Sequence, residues 1–160
     1  MPDADPPRRP AGLARSLRAI RRLRGRRPAD VAAAMGLPLR SYEHFEAGGG
    51  RLNPGRVHRY AEATESDAYA ILVGLWIGSP DFAVHCADNK LVTILVMALQ
   101  DFVAAAGEDV ATLDARTLID VLGQAFNQLA TEARRRGGSA QAWIAERAAR
   151  LPPPGEGETG

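Results

Sequence analysis

Apolar residues in this chain recur three and four positions apart, and no segment sustains the alternation of a strand. That periodicity predicts an all-α protein. A first helix is expected over Leu13–Arg24, with Leu13, Leu17, Ile20 and Leu23 on its buried stripe and Gly25 ending it. Proline then marks four helix starts, at Pro28, Pro38, Pro54 and Pro80; at the first helical position its missing N–H costs nothing. Asn53 and Ser79 precede two of these and are good caps. The expected elements are 28–35, 38–47, 54–64 and 67–77, the last closed by Gly78. Beyond Pro80 a helix around Leu91–Val103 is apolar nearly all round, which implies burial on several sides. Another, over 114–136, carries Leu118, Ile119, Leu122, Ala125, Phe126, Leu129 and Ala133 as one stripe. Gly137-Gly138 is expected to stop it, and Ser139 to cap a last short helix with Trp143, Ile144, Arg147 and Leu151. The resulting division is a basic, proline-rich arm over 1–12, a five-helix domain over 13–78, a helical oligomerisation domain of about three helices over 79–151, and a tail over 152–160.

Composition alters this picture mainly through charge. Apolar and charged shares of 46% and 24% suit a soluble globular protein. The net charge of +1 conceals a division: residues 1–64 hold 13 Arg against six acids, and residues 65–160 hold six Arg and Lys90 against 13 acids. Such asymmetry points to nucleic acid or an acidic surface as partner of the basic half. The ratio of 19 Arg to one Lys reflects composition bias as much as function. Cys86 alone makes no internal disulfide, and the N-terminus lacks the apolar core of a signal peptide. The longest apolar run, LVTILVMALQDFVAAAG, is interrupted by Thr93, Gln100 and Asp101 and is short for a bilayer span. A cytoplasmic, reducing location is expected, without membrane partners.

The second and third expected helices, PADVAAAM and PLRSYEHFEA, are joined by a glycine-containing turn, the arrangement of a helix-turn-helix. On the third, Tyr42 and Phe45 point inward and leave Leu39, Arg40, Glu43, His44 and Ala47 outward. A helix this short fits the DNA major groove. The segment from Leu17 to Thr64 resembles the XRE-type helix-turn-helix of phage repressors and Cro. The likeness lies in Leu17-Arg18-x-x-Arg21, Val31-Ala32, Gly36-Leu37 at the turn, Phe45-Glu46-x-Gly48 and Pro54 opening the fourth helix. The chain departs from that family at Pro28, where glutamine is common, and at Pro38, where a small polar cap usually opens the recognition helix.

The resemblance implies roles for individual residues. Arg21 and Glu46 match a buried pair tying the first helix to the third. Leu39, Arg40, Ser41, Glu43 and His44 match positions that reach bases or the nearest phosphates. Their side chains are chemically suited to such contacts. Arg40 can pair bidentately with guanine, Glu43 can accept from cytosine, and Leu39 can touch a thymine methyl. Arg27, Arg51 and Arg56 are expected to face phosphates. Arg8 and Arg9 either reach a minor groove from the arm or remain in solvent. The resemblance also implies pairing on a palindrome, and Leu91, Leu95, Leu99, Phe102, Leu122, Phe126 and Leu129 are the expected dimer interface.

Other chemistry is poorly supported by the sequence. His85-Cys86-x-Asp88 has no partners that would make a metal site. The three histidines lack a nucleophile motif nearby, and Gly48-Gly49-Gly50 follows a helix where a phosphate-cradling loop would precede one. Neither cofactor nor enzymatic activity is expected, and Trp76, Trp143 and the methionines read as core. The expected function is a dimeric, sequence-specific transcription regulator on an inverted-repeat operator, repression being the default and RNA polymerase a further protein partner. The alternative is an antitoxin-like or adaptor protein whose second half binds a partner.

Overall fold

A computed structural model describes residues 8–148. The described residues form eight α-helices and no strand: α1 Arg8–Leu23, α2 Pro28–Ala34, α3 Leu39–Glu46, α4 Pro54–Ala63, α5 Ala68–Trp76, α6 Pro80–His85, α7 Leu91–Ala106 and α8 Ala115–Ala148, with a 3-10 turn at Gly107–Thr112 between the last two. The all-α expectation is met. Two compact units divide the chain, Met1–Ala105 and Ala106–Gly160.

In the first unit α1 is the central strut and packs against α3, α5 and α6. Its buried stripe of Leu13, Leu17 and Ile20 meets Val31 and Ala32 of α2, Tyr42 and Phe45 of α3, Val57 and Tyr60 of α4, and Ile71 of α5. The Tyr60 hydroxyl donates to the Leu17 carbonyl inside this core, so its polar end is satisfied where water is excluded. Pro28, Pro54 and Pro80 each open a helix, and the Asn53 side chain accepts the Arg56 N–H at 3.0 Å. Asp67 caps α5 in the same way.

Several boundaries differ from the sequence expectation. The part of the expected arm that is described, Arg8 to Gly12, belongs to α1. Pro10 packs its backbone on Gly48, where any Cβ would collide with the Pro10 carbonyl. Residues 1–7, Leu151 and the 152–160 tail lie outside the described residues. Leu23 is exposed rather than buried. Pro38 is the N-cap of α3 rather than its first helical residue, and Ser79 makes no side-chain cap. The boundary expected at 78/79 falls inside the first unit: α6 packs on α1 and α5, the Ser16 hydroxyl donates to the Pro80 carbonyl at 2.9 Å, and Val92 is buried with Ala70 and Cys86.

The C-terminal helices also differ. α8 runs unbroken through Gly123, Gly137 and Gly138, and Ser139 donates back to the Arg135 carbonyl at 2.8 Å instead of capping a new helix. Glu132 pairs with Arg135 and Arg136 in the turn before the glycines, both at 2.7 Å. The two bonds hold its carboxyl down at about 2. Trp76, Met97 and Trp143, read as core, are exposed, whereas Met35 is buried. The apolar helical run Leu91–Thr112 has 22 residues, long and apolar enough to cross a membrane by length and composition. The shorter count from sequence omitted the 3-10 turn.

Candidate nucleic-acid interface

α2 and α3 pack on one another, joined by a turn at Met35–Pro38, and α3 in turn lies against α1. The inner face of α3 is Tyr42, Phe45 and Glu46, all buried. Burial of Glu46 requires a partner, since an isolated carboxylate in the interior is prohibitively costly. Arg21 of α1 supplies it with a two-pronged pair, Nε to Oε1 at 2.5 Å and Nη2 to Oε2 at 3.2 Å. The Tyr42 hydroxyl donates to the same Oε1 at 2.8 Å, and Arg21 Nη1 also reaches the Arg26 carbonyl at 3.2 Å. This network raises the Arg21 pKa, chiefly through its bond to Glu46. The Tyr42 hydroxyl is pushed well above the usual phenol value, first by burial and then by donating to a carboxylate. α3 is therefore clamped from beneath, and its rotation is fixed.

With that face held, Leu39, Arg40, Ser41, Glu43 and His44 all lie exposed on the opposite arc. Leu39 is 44% exposed beside Arg40, an apolar surface next to a cation. Arg40 has no partner among the described residues. His44, at the far end of the arc, lays its imidazole over Gly49, where a Cβ would overlap the ring. It shields the glycine loop and leaves Leu39, Arg40, Ser41 and Glu43 as the open part of the arc.

The arginines expected to face phosphates occupy three different environments. Arg51 is exposed, with no partner among the described residues. Arg27 is exposed, but its guanidinium embraces Asp30 at 2.9 and 3.0 Å, which lowers the Asp30 pKa. Arg56 is only partly exposed: its guanidinium lies 5.9 Å from the Phe45 ring centroid and its Nε is buried without a hydrogen-bond partner. Arg56 thus lines the back of α3 and is less available to a phosphate than Arg51. Arg8 and Arg9 fall within α1, although their side chains lie outside the described set.

Sequence reasoning missed two features. Arg18 and Arg22 project from α1 into a groove of about 590 Å³ that Ala47, at the end of α3, also lines. They stand three and four residues from Arg15 and Arg18, the signal of one helical face. The second is a buried carboxylate, Asp67, that bonds to α7 as well as to its own helix. Its capping of α5 is readable from sequence, but the second set of bonds joins residues 25 and 26 positions apart. Of the expected dimer residues, Leu95, Leu99, Phe102, Leu122, Phe126 and Leu129 are exposed in the single chain, and Leu91 is half-buried against the first unit. No family model, curated protein or solved structure matches this chain.

Proposed function

We propose that this chain is a sequence-specific DNA-binding transcriptional regulator of the XRE type, reading bases from the outer arc of α3. The observation that carries this reading is the contrast between the two faces of that helix. Its inner face is locked by Arg21, Tyr42 and Glu46, while its outer face presents Leu39, Arg40, Ser41 and Glu43 to solvent. An eight-residue helix held this firmly with a polar, cation-bearing outer face suits insertion into a major groove. Arg51 beside it, and the surplus of arginine in residues 1–64, suit the phosphate backbone. Blocking a promoter is the default mode of action. Selection from a random duplex library tests the reading: a recovered motif with dyad symmetry supports it, and unselective recovery overturns it.

The protein acts as a homodimer through its C-terminal helices. In α7 only Val92 is buried, and Ile94, Leu95, Met97, Leu99, Phe102 and Val103 all face solvent in the single chain. Each large apolar side chain left in water forgoes about 1.5–3 kcal/mol, so a second copy has a large incentive to cover them. A bilayer would cover α7 too, but Asp101 sits at the middle of the Leu91–Thr112 run, where a carboxylate costs about 2.5–3.5 kcal/mol. The same uncovered helices support a second reading, an antitoxin-like or adaptor protein whose C-terminal helices take a different protein, RNA polymerase included. Co-purification of a stoichiometric partner with the native chain separates the two.

A further inference from the structure

The link between the first unit's core and α7 runs through one carboxylate. Asp67 is 1% exposed and accepts four hydrogen bonds. Its Oδ1 takes the Ala70 N–H at 3.1 Å and the Thr93 hydroxyl at 2.9 Å; its Oδ2 takes the N–H groups of Val92 and Thr93 at 3.0 and 3.1 Å. The first N–H groups of a helix have no partner within it, and the N-terminus carries partial positive charge. A single buried anion therefore caps α5 and α7 together. Around it, Lys90 Nζ donates to the Glu65 carbonyl at 2.8 Å, and Arg24 of α1 donates to the carbonyls of Thr64 and Glu65 and to Asp88. Asn89 takes the remaining early N–H of α7, that of Leu91, at 2.9 Å.

Beyond Val92 no residue of α7 is buried, so within the first unit its direction is fixed in its first turn alone. We infer that Asp67, with Thr93, is a positioning pair that sets the direction in which α7 leaves the core. Resting on the DNA-binding reading above, the pair thereby sets the operator half-site spacing the dimer accepts. The lever is long enough for this. Sixteen residues make α7, about 24 Å long, and a swing of roughly 10° at the base moves its far end about 4 Å. One base-pair step is about 3.4 Å. A junction loosened by that amount blurs the distinction between neighbouring spacings, whereas an intact one keeps it.

The test uses the full chain and two variants, Asp67→Asn and the milder Thr93→Val, which deletes one donor and leaves the carboxylate. Affinity is measured for one half-site and for inverted repeats whose spacers differ by one base pair. Wild type should prefer one spacer over its neighbours by about tenfold. Thr93→Val should narrow that preference to about threefold while holding single half-site affinity within about twofold, and Asp67→Asn should flatten it further. Unchanged spacer preference, or an equal loss on every spacer and on the half-site, overturns the inference. A second readout needs no DNA: spin labels at Arg59→Cys and Gln100→Cys, in a Cys86→Ala background diluted with unlabelled chain, report the angle between core and α7. A distance distribution that is narrow in wild type and broad in both variants supports the positioning role, and equal widths overturn it. If no duplex binds wild type while the distances still broaden, the DNA reading fails and the junction stands.

Discussion

Arg21, Tyr42 and Glu46 share one buried site, and their energies are unequal in an informative way. The Arg21 and Glu46 side chains are only 14% and 8% exposed, so removing either partner strands a charge at a cost on the order of 3 kcal/mol. Arg21→Ala and Glu46→Ala should each lower the melting temperature. The double variant should recover part of the loss; strict additivity in calorimetry would show that the pair contributes no coupling. Tyr42 and Tyr60 carry the pH dependence of the same region. Both hydroxyls are raised above the ordinary phenol value, principally by burial. As pH rises past about 10, a tyrosine in the unfolded chain ionises while its folded counterpart keeps the proton. The unfolded state then binds fewer protons, and stability falls by about 1.4 kcal/mol per pH unit for each tyrosine. Below that range the contribution is constant. Chemical denaturation should show this slope from about pH 10 upward and none below it, and Tyr42→Phe should remove one tyrosine's share. Tyr42 was legible in sequence as an inward aromatic, three residues from Phe45. Its hydroxyl bond to Glu46 was not, because spacing shows a face and says nothing of where a polar tip ends.

Helix starts were readable wherever proline or a side-chain acceptor acts within three residues, as at Pro28, Pro54 and Asn53. Helix ends and continuities were less so. Gly137-Gly138 reads as a stop by propensity alone, yet α8 runs through it, and the Ser139 hydroxyl bonds back across both glycines to the Arg135 carbonyl. Neither glycine has positive φ, and a Cβ at either meets nothing. Gly137→Ala and Gly138→Ala should therefore each stabilise α8 by about 0.5–1 kcal/mol, read as slower amide exchange around residue 137. A faster exchange would show that the backbone there is not helical in solution. On α3 the outward arc carries the proposed base reading. Arg40→Ala should cost about 1–3 kcal/mol at the selected operator and relax preference at one base pair. Arg51→Ala should weaken every sequence about equally and flatten the salt dependence. Equal effects of the two substitutions on base preference would remove the basis for placing α3 in the groove.

For the whole molecule, the sequence shows a change of character near Pro80 but misplaces the boundary. Composition turns acidic and apolar there, while the packing that matters, of Ala83 in the main core and of Val92 against Ala70 and Cys86, joins residues far apart in the chain. A chain cut after Gly78 lacks α6, the Pro80 carbonyl that receives Ser16, and both helix-capping contacts of Asp67 to α7. It should be poorly folded, whereas a chain cut at Ala105, the end of the first unit, keeps every one of these contacts. The longer fragment retains α7 but loses Leu122, Phe126 and Leu129 of α8. If both helices contribute to a two-fold interface, it should dimerise more weakly than the full chain and bind an inverted repeat less tightly, with single half-site affinity kept. Light scattering at micromolar concentration checks the premise directly. The full chain should show twice its 17.1 kDa mass, and Leu99→Glu with Phe126→Glu should return it to one, because each charge would have to be buried unpaired at about several kcal/mol. A full-length monomer that retains undiminished operator affinity would refute the dimer and leave α7 and α8 to a different protein.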